Sequence, residues 1–180
     1  MIKKGTNIYI RPLTAEDAEA CLELQNANRP FFEQFSMERN EEFYTIEGQQ
    51  KRLQSLYENM QNDVDYYFGI FDPANDTLIG TINLFQVLRG SLQSAFIGYF
   101  LDQKHNGKGY TTEAVKLMVE FAFQDLKLHR IEAGVMPRNL ASIRVLEKAG
   151  FHKEGIARKN VKINGKWEDH QLLAVINPHD

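Results

Sequence analysis

Two periods run along the chain. Apolar positions recur at i, i+3, i+4 and i+7 in Gly48–Met60, through Leu53, Leu56, Tyr57 and Met60, and predict a helix. The same period returns in Thr111–Asp125, where Ala114, Val115, Met118, Phe121 and Ala122 share one face. Elsewhere the chain reads as strands. Ile8 and Ile10 alternate within Asn7–Arg11, and Pro12 stops that short strand. Asp65–Phe71, Thr77–Val87 and Ser91–Leu101 follow as three consecutive strands, with a turn composition in Asp72–Asp76 and a hairpin tip at Arg89-Gly90. Arg130–Val135 is a further strand.

Local signals mark the remaining elements. Thr14 caps a helix whose first turn carries Glu16 and Asp17, and Leu22 and Leu24 carry it to about Gln25. Asn28-Arg29-Pro30 breaks the chain, and Phe31, Phe32 and Phe35 crowd into a stretch, 26–47, with no clear period. Asn139–Ala149 is a helix with Asn139 at its N-cap and Gly150 just past its end. Phe151–Asn160 and Trp167–Ile176 form a terminal hairpin around Asn164-Gly165, a pair suited to a type I′ turn. The strand–helix–strand step from 91 to 135 predicts a parallel crossover. The fold class is therefore α/β: a mixed, mostly antiparallel sheet with helices on its faces. No repeat, low-complexity tract or linker interrupts it, so 1–180 is expected to be one domain.

Composition narrows the function classes without naming one. Of 180 residues, 43% are hydrophobic and 25% charged, values of a globular chain and not of a disordered or fibrous one. A formal charge of −3 argues against a general nucleic-acid grip, which needs a concentrated positive face. Cys21 is alone, so it makes neither an intramolecular disulfide nor a Cys-rich zinc site, and the five histidines show no metal spacing. No apolar run approaches the roughly 18 residues of a membrane span, and no apolar signal core follows the short basic start. A cytoplasmic protein with no metal and no membrane contact is expected.

The segment Leu101-Asp102-Gln103-Lys104-His105-Asn106-Gly107-Lys108-Gly109-Tyr110-Thr111-Thr112-Glu113-Ala114 carries the first chemistry. It follows a strand and opens an amphipathic helix. Its glycines let the backbone take φ > 0 and approach a ligand, the helix start offers N–H groups and partial positive charge, and Lys108 adds a full one. That arrangement suits a phosphate or pyrophosphate; a tight turn that binds nothing is the alternative. The segment fits neither the Walker pattern nor the three-glycine dinucleotide fingerprint.

A second segment gives the loop a context. Arg130-Ile131-Glu132, then Asn139-x-x-Ser142, then Lys148-x-Gly150-Phe151-x-x-Glu154-Gly155, resembles the GNAT acetyltransferases, and within them the RimJ and RimL branch that acetylates ribosomal-protein N-termini. Asn28-Arg29, the 106–114 loop and Trp167-x-Asp169 fall in the order of that branch. The resemblance implies acetyl-CoA as cosubstrate, held where two neighbouring parallel strands splay apart, here 91–101 and 130–135. It implies a pyrophosphate loop in which Asn106, Gly109 and Thr111 take the defined positions, with Gly107, Lys108, Tyr110 and Thr112 beside them. Asn106 and Thr111 depart from the usual Gln/Arg and Gly/Ala, yet both keep the backbone N–H that phosphate contacts need.

The implied reaction is attack of a primary amine on an acetyl thioester. Backbone N–H groups at Phe100 and Leu101 are the candidates for stabilising the oxyanion. The tyrosine that often protonates the leaving thiolate in this family is replaced by Leu146. Ser142, in the first turn behind Asn139, is the alternative donor, or a serine that merely bonds backbone. Glu132 is a candidate base or substrate anchor, with structural pairing as the other reading. Asp169 is a second candidate base. Glu33, Glu38, Glu41, Glu42 and Glu47 form an acidic rim or a solvated face, and Phe32 and Phe35 line the acceptor pocket or belong to the core. The acceptor is read as a protein N-terminal α-amine, with a polyamine, amino acid or aminoglycoside as one alternative and a non-catalytic acyl-CoA-binding module as another. Dimers are common among similar proteins, so the resemblance admits a homodimer.

Overall fold

The computed structural model describes residues 1–180. Its strands are β1 (Lys3–Lys4), β2 (Tyr9–Pro12), β3 (Tyr66–Asp72), β4 (Thr77–Leu88), β5 (Ser94–Leu101), β6 (Arg130–Val135), β7 (His152–Ile163) and β8 (Lys166–Ile176). They form one sheet in the order β1-β2-β3-β4-β5-β6-β8-β7. Every neighbouring pair is antiparallel except β5 and β6. The helices are α1 (Ala18–Ala27), α2 (Arg29–Glu33), α3 (Ile46–Gln61), α4 (Tyr110–Glu120) and α5 (Leu140–Lys148).

Helices on both faces give two cores. Under α4 and α5, twenty-four buried residues gather, among them Phe68, Ile82, Ile97, Met118, Ile131 and Leu146. On the other face, α1 and α3 cover nine, including Cys21, Phe32, Leu53 and Tyr67. This explains why β3 reads as an unbroken apolar run instead of alternating: all of Tyr66–Phe71 is buried, because both faces of that strand are covered.

The parallel crossover is present, and it is short. β5 pairs with β6 only from Ser94↔Arg130 to Phe96↔Glu132. Beyond that, β5 stays on β4 as far as Leu101, while β6 stays on β8 as far as Val135. The two strands part and leave a wedge-shaped opening in the middle of the sheet.

Several elements differ from their sequence signals. The two-residue β1 has no period to betray it. α2 forms across the expected break at Arg29-Pro30, because proline is tolerated in a helix's first turn, and the Arg29 guanidinium lies 3.8 Å over the Tyr44 ring. α4 ends at Glu120 and is followed by one wide turn to Asp125, in which Leu126 N–H donates to Phe121 O (3.1 Å). The terminal hairpin turns at Asn164 and Gly165, both at positive φ (48° and 79°), as a type I′ turn requires. β7 is longer than its signal and bulges twice, near Gly155 and across Arg158–Asn160.

Candidate active site

Where β5 and β6 part, backbone groups lose their sheet partners. Asp102 N–H donates to Ile79 O (2.7 Å), one step beyond the paired residues Leu101 and Gly80. Antiparallel ladders alternate, so Phe100 turns its N–H to Thr81 and Leu101 turns its own into the opening. On the far strand, Asn177 N–H donates to His129 O (2.8 Å), and the same alternation turns the backbone of Gly134 toward β5. Of the two oxyanion candidates, geometry therefore separates Leu101, which faces the wedge, from Phe100, which faces the neighbouring strand. The Phe100 ring packs on Phe32, centroids 5.0 Å apart, and forms part of the floor on the α1 side.

The loop after β5 is held at its root. Asn28, at the end of α1 and 2% exposed, accepts from Gln103 N–H (2.9 Å) and donates from its amide to Leu24 O (3.0 Å). Gly107 and Gly109 sit at φ +82° and +79°, the left-handed region, and a Cβ at either would meet nothing within 4 Å. From Gly107 to Thr112 no backbone N–H finds a protein acceptor, and the first intrahelical bond comes only at Glu113 N–H to Gly109 O (3.1 Å). Six successive free donors at the start of an eleven-residue helix, beside Lys108, form a cradle for an anion. One expectation is corrected: Asn106 N–H is spent on Gln103 O (3.3 Å), while Thr111 keeps its own free.

Ser142 stands in the first turn of α5, where Asn139 caps the helix by accepting Ser142 N–H at 3.3 Å. Its hydroxyl meets the Tyr99 phenol at 2.6 Å, and Tyr99 O–H also lies 3.2 Å from the Ser142 carbonyl oxygen. Burial pushes the Tyr99 phenol far above its ordinary value, against a smaller opposing effect of the Ser142 hydrogen bond, so Tyr99 remains a donor. Leu146, one turn further along α5, is fully buried in the main core and offers no polar group. Tyr99 is the residue that sequence reading passed over. Its alternation with Ile97 and Leu101 was the available signal, since it places all three on the α5 side of β5.

The carboxylates expected to act as bases are engaged. Glu132 accepts from Arg130 (3.0 Å), and Arg130 also grips Glu154, whose carboxyl these contacts and His152 hold at about 2. Asp169 accepts from Lys159 N–H (2.8 Å), bracing the second bulge of β7. By alternation it projects from the face opposite its neighbour His170. His170 is 6% exposed and packs over Gly134, where an added Cβ would lie 3.7 Å from the ring's Cδ2.

The acceptor-side residues divide in the same way. Of the two readings of Phe32, pocket lining or core, its 1% exposure fits the core; Phe35 remains half-buried. Glu33 accepts from Tyr44 (2.6 Å) and Arg29 (3.2 Å), which hold its carboxyl below the usual range against the opposing effect of burial. Glu41 shares Arg29, and Glu42 faces Lys51 at 3.4 Å, so three of the five glutamates are paired with cations of their own neighbourhood. A cavity of about 490 Å³ opens between Gln34, just past α2, and the β7–β8 hairpin, lined also by Arg138, Ile163, Asn164, Lys166 and Glu168.

Comparison with known proteins agrees with this architecture. The family model for an acetyltransferase (GNAT) domain matches residues 7–152. The probable N-acetyltransferase YjcK of Bacillus subtilis (strain 168) is 67% identical over 177 residues, 98% of each chain. The solved ribosomal-protein-S5-alanine acetyltransferase of Vibrio fischeri superposes with a TM-score of 0.94 at 33% identity, covering 99% of this chain and 97% of that one. Mycobacterium smegmatis RimJ, solved in complex with CoA-disulfide, gives 0.91 at 26% identity over 96% and 83%.

Proposed function

The chain belongs to the GNAT acetyltransferases, and from that premise we propose that it moves an acetyl group from acetyl-CoA to the N-terminal α-amine of a protein, one of the ribosomal-protein type. The observation that carries this reading is the wedge between β5 and β6, with a cradle of free N–H groups at the head of the helix that follows β5. An anionic cosubstrate held at the cradle would carry its acyl end to the wedge, where an amine would meet it.

Acetyl-CoA, when bound, supplies an acetyl group activated as a thioester. The N–H groups of Gly107–Thr112 and the charge of Lys108 hold its pyrophosphate, with the Asn106 side chain alongside. Leu101 N–H donates to the acetyl carbonyl oxygen, where negative charge develops. Ser142 donates to the sulfur as the thiolate leaves, a role that requires Tyr99 to be the donor in the pair the two hydroxyls form. A thiol titrates near 8.5, so a single hydroxyl is enough help near neutral pH. Asn139 fixes the first turn of α5 and with it the position of Ser142.

The α-amine is favoured over a lysine side chain by its acidity. It titrates at about 7.7–8.0 against about 10.4, so much of it is already neutral at pH 7 to 8. The cavity has one hydrophobic residue among six, a lining that suits a peptide backbone. The test is mass spectrometry of N-terminal peptides, including alanine- and serine-initiated ones, incubated with the protein and acetyl-CoA. We expect acetylation at the α-amine. Turnover of spermidine or free amino acids with all peptides inert would move the reading to a small-amine acetyltransferase.

A further inference from the structure

We infer that His170 is the general base of this site, accepting the proton of the acceptor amine at Nε2. The inference rests on the proposed reaction and adds the group that the engaged carboxylates leave missing.

The tautomer comes first. His170 Nδ1 lies 3.1 Å from the backbone carbonyl oxygen of Glu168 and 2.8 Å from Asn160 Oδ1. A backbone carbonyl can only accept, so Nδ1 carries the hydrogen and the neutral ring keeps its lone pair on Nε2. No protein group bonds Nε2, and although the residue is buried this atom is not sealed from solvent. The ring's Cδ2, bonded to Nε2, lies over Gly134, whose backbone faces the wedge beyond the last β5–β6 pair. Glu168, the residue that orients the ring, also lines the acceptor-side cavity.

The surroundings fit a proton acceptor. On β6 the same face presents Glu132, tied to Arg130; after β6 comes Arg138, paired with Glu168 at 3.3 Å. From β7 the neighbour is Asn160, which is neutral. Asn160 reaches His170 because β7 bulges there, and Asp169 secures that bulge through Lys159 N–H. The expected base, Asp169, thus supports its neighbour indirectly. Gly134 is what makes room, since a larger side chain would cover the ring.

The proton count closes. The acceptor arrives as an ammonium; one N–H bond breaks and its proton goes to His170 Nε2, leaving the nitrogen lone pair to form the N–C bond. The C–S bond breaks and its electron pair leaves with sulfur. Of the remaining two protons on nitrogen, one stays on the amide; the other is released as the C–S bond breaks and, by way of water, replaces the proton that Ser142 gives to sulfur. His170 then returns its proton to water.

The experiment compares wild type with His170→Asn, which keeps a donor toward Glu168 and loses Nε2, and with His170→Ala with and without added imidazole. We expect CoA affinity by calorimetry to be unchanged and kcat on a peptide acceptor to fall about 100-fold at pH 7, the low end for a lost general base. The deficit should shrink toward pH 9, where the α-amine is already neutral, and imidazole should restore part of it in the alanine variant. A deficit equal at pH 7 and pH 9 and untouched by imidazole overturns the inference. Nitrogen-15 spectra of histidine in the unaltered protein test it independently of any variant: an Nδ1–H tautomer is expected, and an Nε2–H tautomer overturns it. Full activity of His170→Asn removes His170 alone, whereas a wild type that acetylates no amine removes the underlying reaction too.

Discussion

At the scale of single residues, the proposed mechanism depends on the hydroxyls of Ser142 and Tyr99, with Leu146 standing where the resemblance would place a tyrosine. Tyr99→Phe isolates that dependence. It deletes the partner of Ser142 at 2.6 Å and leaves the ring in place. We expect kcat to fall about tenfold, less than a full general-acid loss because a thiolate leaves readily, with acetyl-CoA affinity little changed. An unchanged kcat would confine the pair to packing. Cys21 lies outside this chemistry: it is 1% exposed on the buried face of α1, and burial pushes its thiol to about 12. The folded protein should therefore resist thiol reagents and react only when denatured, as an Ellman titration with and without urea would show. Both residues mark the limit of sequence reading. The Tyr99–Ser142 contact joins positions 43 apart, and nothing local to either distinguishes a paired hydroxyl from a core aromatic. His170 was hidden by parity: it is one step from Asp169, and one step along a strand exchanges the two faces of the sheet.

At the scale of elements, periodic segments and capped turns were legible because their signals are local. The helix face of 111–122, the Asn139 cap and the Asn164-Gly165 turn each follow from a few neighbouring residues. The bulges of β7 were not legible, since a bulge is defined by pairing with β8 and not by composition, and they are what carry Asn160 to His170. The root of the loop after β5 was half legible. Asn28 was visible as a breaker, but its bond to Gln103, 75 residues away, was not. Asn28→Ala would remove the partner of a part-buried N–H at Gln103 and strand a buried carbonyl at Leu24, a cost of about 1–3 kcal/mol. Because the loop loses its anchor, CoA affinity should fall together with stability. Urea unfolding and calorimetry would check both, and a stability loss with unaltered CoA affinity would show that the cradle does not depend on this anchor.

At the scale of the whole molecule, charge is organised by local pairing more than by the net −3. Arg89, at the end of the β4–β5 hairpin, bonds Asp63 at 2.6 and 2.8 Å and also donates to Leu126 O (2.7 Å), tying the meander to the segment after α4. Hydrogen bonding from Arg89, opposed by partial burial and aided by Tyr66, lowers the Asp63 carboxyl; Glu33 and Glu154 are lowered by their own partners. A carboxyl whose folded value lies below its unfolded one stabilises the fold above the unfolded value, about 3.9 for Asp and 4.3 for Glu. That contribution is lost as pH falls through the folded value, which for Glu154 is about 2. Stability toward urea should therefore hold from pH 7 to about 5 and decline below 4. Arg89→Gln separates the two roles of the arginine. Its carbonyl bond is indifferent to pH, while its ion pair, being exposed by more than a third on both sides, is worth at most about 1 kcal/mol. The variant should be less stable than wild type at pH 7, and the gap should narrow at pH 3 as Asp63 protonates. An equal gap at both values would mean that Arg89 acts only through Leu126, and that the acid limb belongs to the other carboxylates.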